Sequence, residues 1–265
     1  MMCSSHWTSL RNVPVPELAL APTMNATVVS TIDDLMGFLA SIRHSSVLYM
    51  DLEGKELSRH GTLTIITILV QPQNTVFLID VQTLGHTAFL AQPMPTLTEP
   101  LRSLKYILED PTVTKYLWDV RNDADALKAL YGVGIEGVID IQLLENATRY
   151  GSKEYLRGLN RCVQMDLNLS DRDHDRWVRI KDHGTSRMGS DHFSVRPLAP
   201  ETIDYCAGDV WYLPQLRNSY MRFCTPQKFE RVRAMSMARV REAHSPGYQP
   251  NGPQKKFGPW GHNGI

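Results

Sequence analysis

From Ser30 to Ile42 the apolar residues Leu35, Phe38, Leu39 and Ile42 recur at helical spacing behind the cap residues Ser30 and Thr31. This predicts an amphipathic helix over Ser30–Ser41. The period then changes. Val47–Leu52 is a short apolar run, Thr62–Val70 is β-branched after Gly61, and Val76–Ile79 returns after the turn residues Pro72 to Asn74. These read as three consecutive strands. Beyond Asp80 helical spacing dominates, with Leu97, Leu101, Leu104 and Leu108 on one face of a helix over Leu97–Leu108. Short strands are expected at Lys115–Trp118 and Val138–Ile139, and helices at Asp123–Tyr131 (closed by Gly132), Ile141–Tyr150, Tyr155–Val163 and Glu201–Phe223. Asn168–Arg196 is polar with little pattern and reads as a loop. A meander followed by strand–helix units predicts an α/β fold with a mixed five-stranded sheet flanked by helices on both faces.

Residues 1–27, with Pro14, Pro16 and Pro22, read as a flexible arm, 28–225 as the folded domain and 226–244 as a basic helical extension. Residues 245–265, rich in Gly, Pro, Asn and Gln, read as a disordered tail. Lys+Arg and Asp+Glu both number 28, so the net charge is zero. That excludes retention of nucleic acid by a global positive field but leaves room for a local basic groove. Four cysteines (Cys3, Cys162, Cys206, Cys224) lie too far apart in sequence for a metal knuckle and read as free thiols. No apolar run reaches a membrane span, so no membrane partner is expected. Cytoplasm or nucleus is the expected compartment. A mitochondrial address stays open, because Met1 to Pro16 has no acid and Arg11 is its one Lys or Arg. Oligomeric state is not readable.

Three acidic segments carry the candidate chemistry. The first strand ends in Asp51-Leu52-Glu53, and alternation puts both carboxylates on one face, where they repel unless a cation lies between them. A hard divalent ion with oxygen ligands meets that need, although such a pair is also common in solvated loops. Asp123 and Asp125, in RNDAD, open a helix, where acids often serve only as caps. Leu127, four residues on, turns the Asp123 face toward the sheet, and Asp125 is expected to face solvent. In ETIDYCAGDVWYL, Tyr205 and Asp209 lie one helical turn apart within an apolar stretch, and a buried carboxylate there needs a partner.

The order DxE…D…YxxxD, with YMDLEG, KYLWDVRNDADAL, VIDIQLL and VRPLAPETIDYCAGDVWYL, resembles the DEDDy family of 3′–5′ exonucleases. That group includes bacterial ribonuclease D, the Werner-syndrome exonuclease domain and the Egalitarian-like proteins, and the resemblance spans about Ala26 to Phe223. It implies a ribonuclease H-like fold and a site that binds two Mg²⁺ or Mn²⁺ ions. Asp51 would bridge both ions, Glu53 and Asp209 would hold the first, and Asp123 would hold the second. Tyr205 would orient the attacking water. The sister group has a His five residues before the last acid, where this chain has Asp204. Trp118 and Thr67 stand where the family often has His and Gln.

The resemblance implies two-metal hydrolysis of the 3′ end of RNA or single-stranded DNA, releasing nucleoside 5′-monophosphates. The competing class is a catalytically silent nucleic-acid-binding adaptor of the Egalitarian-like type; the four acids and Tyr205 are all present and favour the enzyme. Leu63, by family analogy, and Arg217 and Arg222, in a basic stretch running to Arg241, are candidate nucleic-acid contacts beside ordinary core and surface roles. Asp171 to Asp175 reads as a solvated loop, as do His183 and His192.

Overall fold

The computed structural model describes residues 24–42, 46–93, 102–186 and 191–260, without the side chains of 183–186. In chain order the elements are β1 (Ala26–Val29), α1 (Ile32–Ser41), β2 (Val47–Glu53), β3 (Ile65–Gln71), β4 (Thr75–Asp80), α2 (Val81–Leu84) and α3 (Thr87–Leu90). They continue with α4 (Leu104–Glu109), β5 (Lys115–Leu117), α5 (Arg121–Tyr131), β6 (Val138–Asp140), α6 (Ile141–Thr148) and α7 (Leu159–Asp166). The last are α8 (Asp171–Ser186), α9 (Pro200–Trp211), α10 (Leu213–Met221) and α11 (Pro226–Ala243).

The sheet is mixed and has six strands in the order β1-β4-β3-β2-β5-β6, one more than expected. The added strand, β1, pairs parallel to β4 from Ala26↔Val76 to Val29↔Ile79. It takes in the last two residues assigned to the flexible arm; the rest of that arm to Thr23, and Leu97 to Leu101 of the expected helix Leu97–Leu108, lie outside the described residues. β2 lies inside the sheet, antiparallel to β3 and parallel to β5. Its even positions Leu48, Met50 and Leu52 enter one core cluster with Leu35, Phe38 and Leu127, from α1 and α5. Its odd position Tyr49 enters a second cluster with Trp177, Ala207, Val210 and Leu213, from α8, α9 and α10. Helices thus cover both faces, and strand alternation sends Asp51 and Glu53 to the second face.

Three local readings change. Asn168–Arg196 is largely helical: α8 starts after Ser170, whose Oγ accepts from the Asp173 amide at 3.2 Å. The expected helix Glu201–Phe223 is two helices, because Pro214 cannot donate a backbone hydrogen bond and restricts its predecessor. Residues 245–260 are not a disordered tail. Tyr248 is buried, and the segment hydrogen-bonds the body through Leu156 N to Lys256 O (2.9 Å) and Gly258 N to Glu154 O (2.7 Å). Glycine is required at 258, since a Cβ there would stand 2.1 Å from Lys153 O. α11 is part of the same body, packing on β6, α5 and α6 with Val232, Ser236, Arg239 and Val240 buried. Among the described residues, no helix is long and apolar enough to cross a membrane.

Candidate active site

α9 runs across β2, β3 and β4 and brings its Asp209 over the end of β2. Carboxylate oxygens of Asp51, Glu53 and Asp209 all lie within 4.8 Å of one another. Three acids this close and this enclosed oppose one another's ionisation. Burial, with the Asp209 charge added and Lys181 opposing, pushes the Asp51 carboxyl up to about 7. Burial and then the Asp51 and Asp209 charges raise Glu53 well above the ordinary range, and burial raises Asp209. Such a set is all-oxygen, convergent and short of positive charge, which fits a hard divalent cation.

Asp123 joins from α5 and stands outside that trio. Burial, then the charges of Asp51, Asp119 and Asp140, raise its carboxyl well above the ordinary range, and Lys255 opposes them. The turn before α5 is held by ion pairs. Asp119 adopts a left-handed φ of 61° and takes the Arg121 guanidinium at 2.6 and 2.7 Å. Asp140 accepts from the amides of Asp119 and Val120 at 3.1 Å and from Arg239 at 2.6 Å. These bonds fix the turn that leads into α5, whose N-cap residue Val120 makes no side-chain cap.

Asp125 corrects the sequence reading. It does not face solvent; its side chain is 1% exposed, and both its oxygens are taken by Arg59, from the backbone N and from Nε, at 2.7 Å. The same guanidinium donates to the carbonyls of Ala243 and Ser245 at 2.8 Å. Tyr248 Oη (2.7 Å) and Lys255 Nζ (2.6 Å) both donate to Asn122 Oδ1, and Arg121 donates to Lys255 O at 2.8 Å. Residues 245–260 therefore form a strap across the first turn of α5, clamping the neighbours of Asp123.

Tyr205 lies one turn before Asp209. Burial, then the charges of Asp209, Glu53 and Asp51, push its phenol far above the ordinary range, so the hydroxyl keeps its proton. Above its ring, 4.1 Å from the centroid, sits Lys181 Nζ, which also ion-pairs with Asp209 and lies 4.8 Å from the Trp177 ring. Sequence reasoning missed Lys181 together with α8. The available signal was Trp177 and Lys181 four residues apart, on one helical face.

Leu63 is buried in the first core cluster. Arg217 lies over the Tyr116 ring at 5.0 Å, and Arg222 is exposed. Asp171 to Asp175 lie on the first turns of α8, not in a loop. The His192 ring lies tilted against that of Phe193, centroids 3.9 Å apart, and the His183 side chain lies outside the described residues. A second ligand-like set, Glu145, Cys162 and Asp166, already has the Arg149 and Arg157 guanidinium groups 3.4 Å from Glu145, so its charge is met.

Residues 26–222 match a family described as 3′–5′ exonuclease. The chain is 29% identical over 181 residues to the piRNA biogenesis protein EXD1 of Mus musculus, covering 66% of this chain and 29% of that protein. The Homo sapiens protein of that name is 28% identical over 197 residues, covering 72% and 35%. The chain thus spans about a third of the length of these curated relatives. Among solved structures, RNase D of Trypanosoma brucei in complex with GMP superposes with a TM-score of 0.67 at 21% identity, covering 84% of this chain and 65% of that one. The same enzyme in complex with RNA U12 gives 0.66 at 21%, covering 83% and 71%. Escherichia coli RNase D gives 0.56 at 22%, covering 82% and 51%. At these identities the structures share a fold with this chain.

Proposed function

The chain belongs to the 3′–5′ exonuclease family, and from that premise we propose that it is a metal-dependent enzyme that shortens RNA or single-stranded DNA from the 3′ end. The carrying observation is the convergence of Asp51, Glu53 and Asp209 within 4.8 Å, with the Tyr205 hydroxyl one helical turn away. Asp51, Glu53 and Asp209 are the residues that would hold one Mg²⁺ or Mn²⁺, and Asp51 with Asp123 a second. Bound there, two such ions would activate water and stabilise the leaving 3′ oxygen. The residues supply the rest. Tyr205, kept protonated, orients the attacking water by hydrogen bonding. The acids and the enclosing helices fix the reacting groups in line, so the rate gain comes from position and charge. The products are nucleoside 5′-monophosphates. The RNase D of Trypanosoma brucei, solved with GMP and with RNA U12, shares this fold and supports an RNA 3′ end as substrate.

The test uses 5′-labelled RNA and DNA oligonucleotides with Mg²⁺ or Mn²⁺, beside Asp51→Asn. A ladder shortening from the 3′ end is expected, slowed on the order of 10³-fold in the variant. Tyr205→Phe should slow it about 10- to 100-fold while Mn²⁺ binding stays intact. Tight binding with no shortening under either ion would replace the enzyme by the adaptor.

A further inference from the structure

We propose that Lys181 is a further catalytic residue of this site, contacting a non-bridging oxygen of the scissile phosphate once a divalent ion has taken Asp209 from it. The inference rests on the exonuclease reading for its substrate, and on geometry for its residue. Lys181 projects from α8, anchored four residues earlier by Trp177, which is fully buried and donates from Nε1 to Asn160 Oδ1 at 2.8 Å. α8 packs on α9 at Gly208, where Trp177 and Ile180 come to 3.5 Å, ordinary van der Waals contact, from the glycine's Cβ position. The ammonium is thereby set on Asp209 and over the face of Tyr205, between the acid trio and the group assigned to the water.

Charge balance gives this position a purpose. The carboxylates of Asp51, Glu53, Asp123 and Asp209 would cancel two divalent ions. The phosphodiester brings one further negative charge, and more develops as water attacks, the new O–P bond forms and the P–O3′ bond breaks. A cation fixed beside that point, in a poorly solvated site, favours the transition state. Lysine suits it as a compact point charge on a flexible stem, able to leave one oxygen anion for another about 3 Å away, one hydrogen-bond length. Its proton is never transferred. Aromatic faces on Trp177 and Tyr205 hold the ammonium in either position.

Two opposite effects follow from one substitution. Lys181→Met keeps the aliphatic stem against the aromatic rings and removes the charge. Because Lys181 competes with metal for Asp209, Mn²⁺ binding, read by electron paramagnetic resonance, should tighten about threefold or more. Because it meets phosphate, binding of adenosine 5′-monophosphate in the presence of Ca²⁺, read by calorimetry, should weaken about tenfold, and turnover at saturating Mn²⁺ should fall about 100-fold. Lys181→Arg should restore nucleotide binding to within about threefold of the parent protein. Should Lys181→Met fail to fold, Lys181→Gln carries the same two binding readings. Looser Mn²⁺ binding in the neutral variant, or unchanged nucleotide affinity, overturns the proposal, as does a parent protein that does not bind the nucleotide. A parent protein that shows both binding effects but never shortens an oligonucleotide leaves the phosphate contact standing and overturns the enzyme reading instead.

Discussion

At the Asp209 end of the acid site, among the described residues, the Lys181 ammonium stands against three carboxylates. Lys181 meets Asp209 while Asp51 and Glu53 share the enclosure, and burial raises all three carboxyls. At the Asp123 end, compensation is spread over Arg59, Arg121, Arg239 and Lys255, each joined to a named carboxylate, amide oxygen or backbone carbonyl. There Asp119 is held below the usual carboxylate range, because hydrogen bonds from Arg121 and the charges of Arg239 and Arg121 outweigh its burial. The first arrangement can exchange the Lys181 ammonium for another cation at small cost. The second is a frame, and removing a member leaves buried groups without partners. Substitutions at the Asp209 end should therefore act on metal and substrate, and those at the Asp123 end on stability first.

The sharpest way to break this contrast is Arg59→Ala. It strips the ion pair from the buried Asp125 carboxylate, leaving the residue-59 amide on one oxygen, and frees the carbonyls of Ala243, at the end of α11, and of Ser245. Loss of about 3 to 5 kcal/mol in urea unfolding is expected. A loss below about 1 kcal/mol would show that the strap is not anchored through this pair.

A smaller effect separates the two ends by pH. In metal-free protein, Asp51 is pushed up to about 7, chiefly by burial, so the folded chain binds its proton more tightly than the unfolded chain. Stability from this group therefore falls as pH rises from about 4 to about 7, and levels off above that. Asp119 has the opposite sign. Its contribution is present above about 4 and is lost as pH falls through its depressed value. A divalent ion offsets only the first. Mn²⁺ at a hundred times its dissociation constant at pH 8 should add about 2.7 kcal/mol, and the same concentration at pH 5 should add clearly less. Thermal melts at the two pH values read the difference, and equal gains would remove the Asp51 cluster as the ion's site.

The same division explains what was legible in the chain. Strand alternation pairs Asp51 with Glu53 and one helical turn pairs Tyr205 with Asp209, both local rules; it was the resemblance to the exonuclease family that joined these pairs and Asp123 into one set. α8 could not be picked out, since its apolar residues are confined to Trp177, Val178 and Ile180 and its anchoring depends on Asn160 and on the Tyr212 ring, 5.3 Å away. Lys181 was lost with it. β1 was missed because four residues at a sheet edge carry too little period to read. The strap was misread for a different reason. It is poor in apolar residues and is held largely by backbone carbonyls, Arg59, Arg121 and Asn122, to which composition is blind. Asp125 was assigned to solvent by helical angle alone, and the partner that buries it comes from a loop 66 residues earlier.

The smallest effect tests whether the strap steadies α5 through one atom or through many. Asn122 Oδ1 accepts from both Tyr248 Oη and Lys255 Nζ, and it belongs to the residue directly before Asp123. Tyr248→Phe removes one donor and leaves the ring, the ammonium and the Arg59 contacts in place. A framed end should absorb this. About 1 kcal/mol of stability is expected to go, in line with one partly buried hydrogen bond, and Mn²⁺ affinity should change less than about threefold. If Asn122 alone held the first turn of α5, the same substitution would loosen Mn²⁺ by the 10- to 100-fold (about) seen when a ligand's outer support is lost. Titrating Mn²⁺ into both proteins decides between them. The larger shift would make the Asp123 end as exchangeable as the Asp209 end.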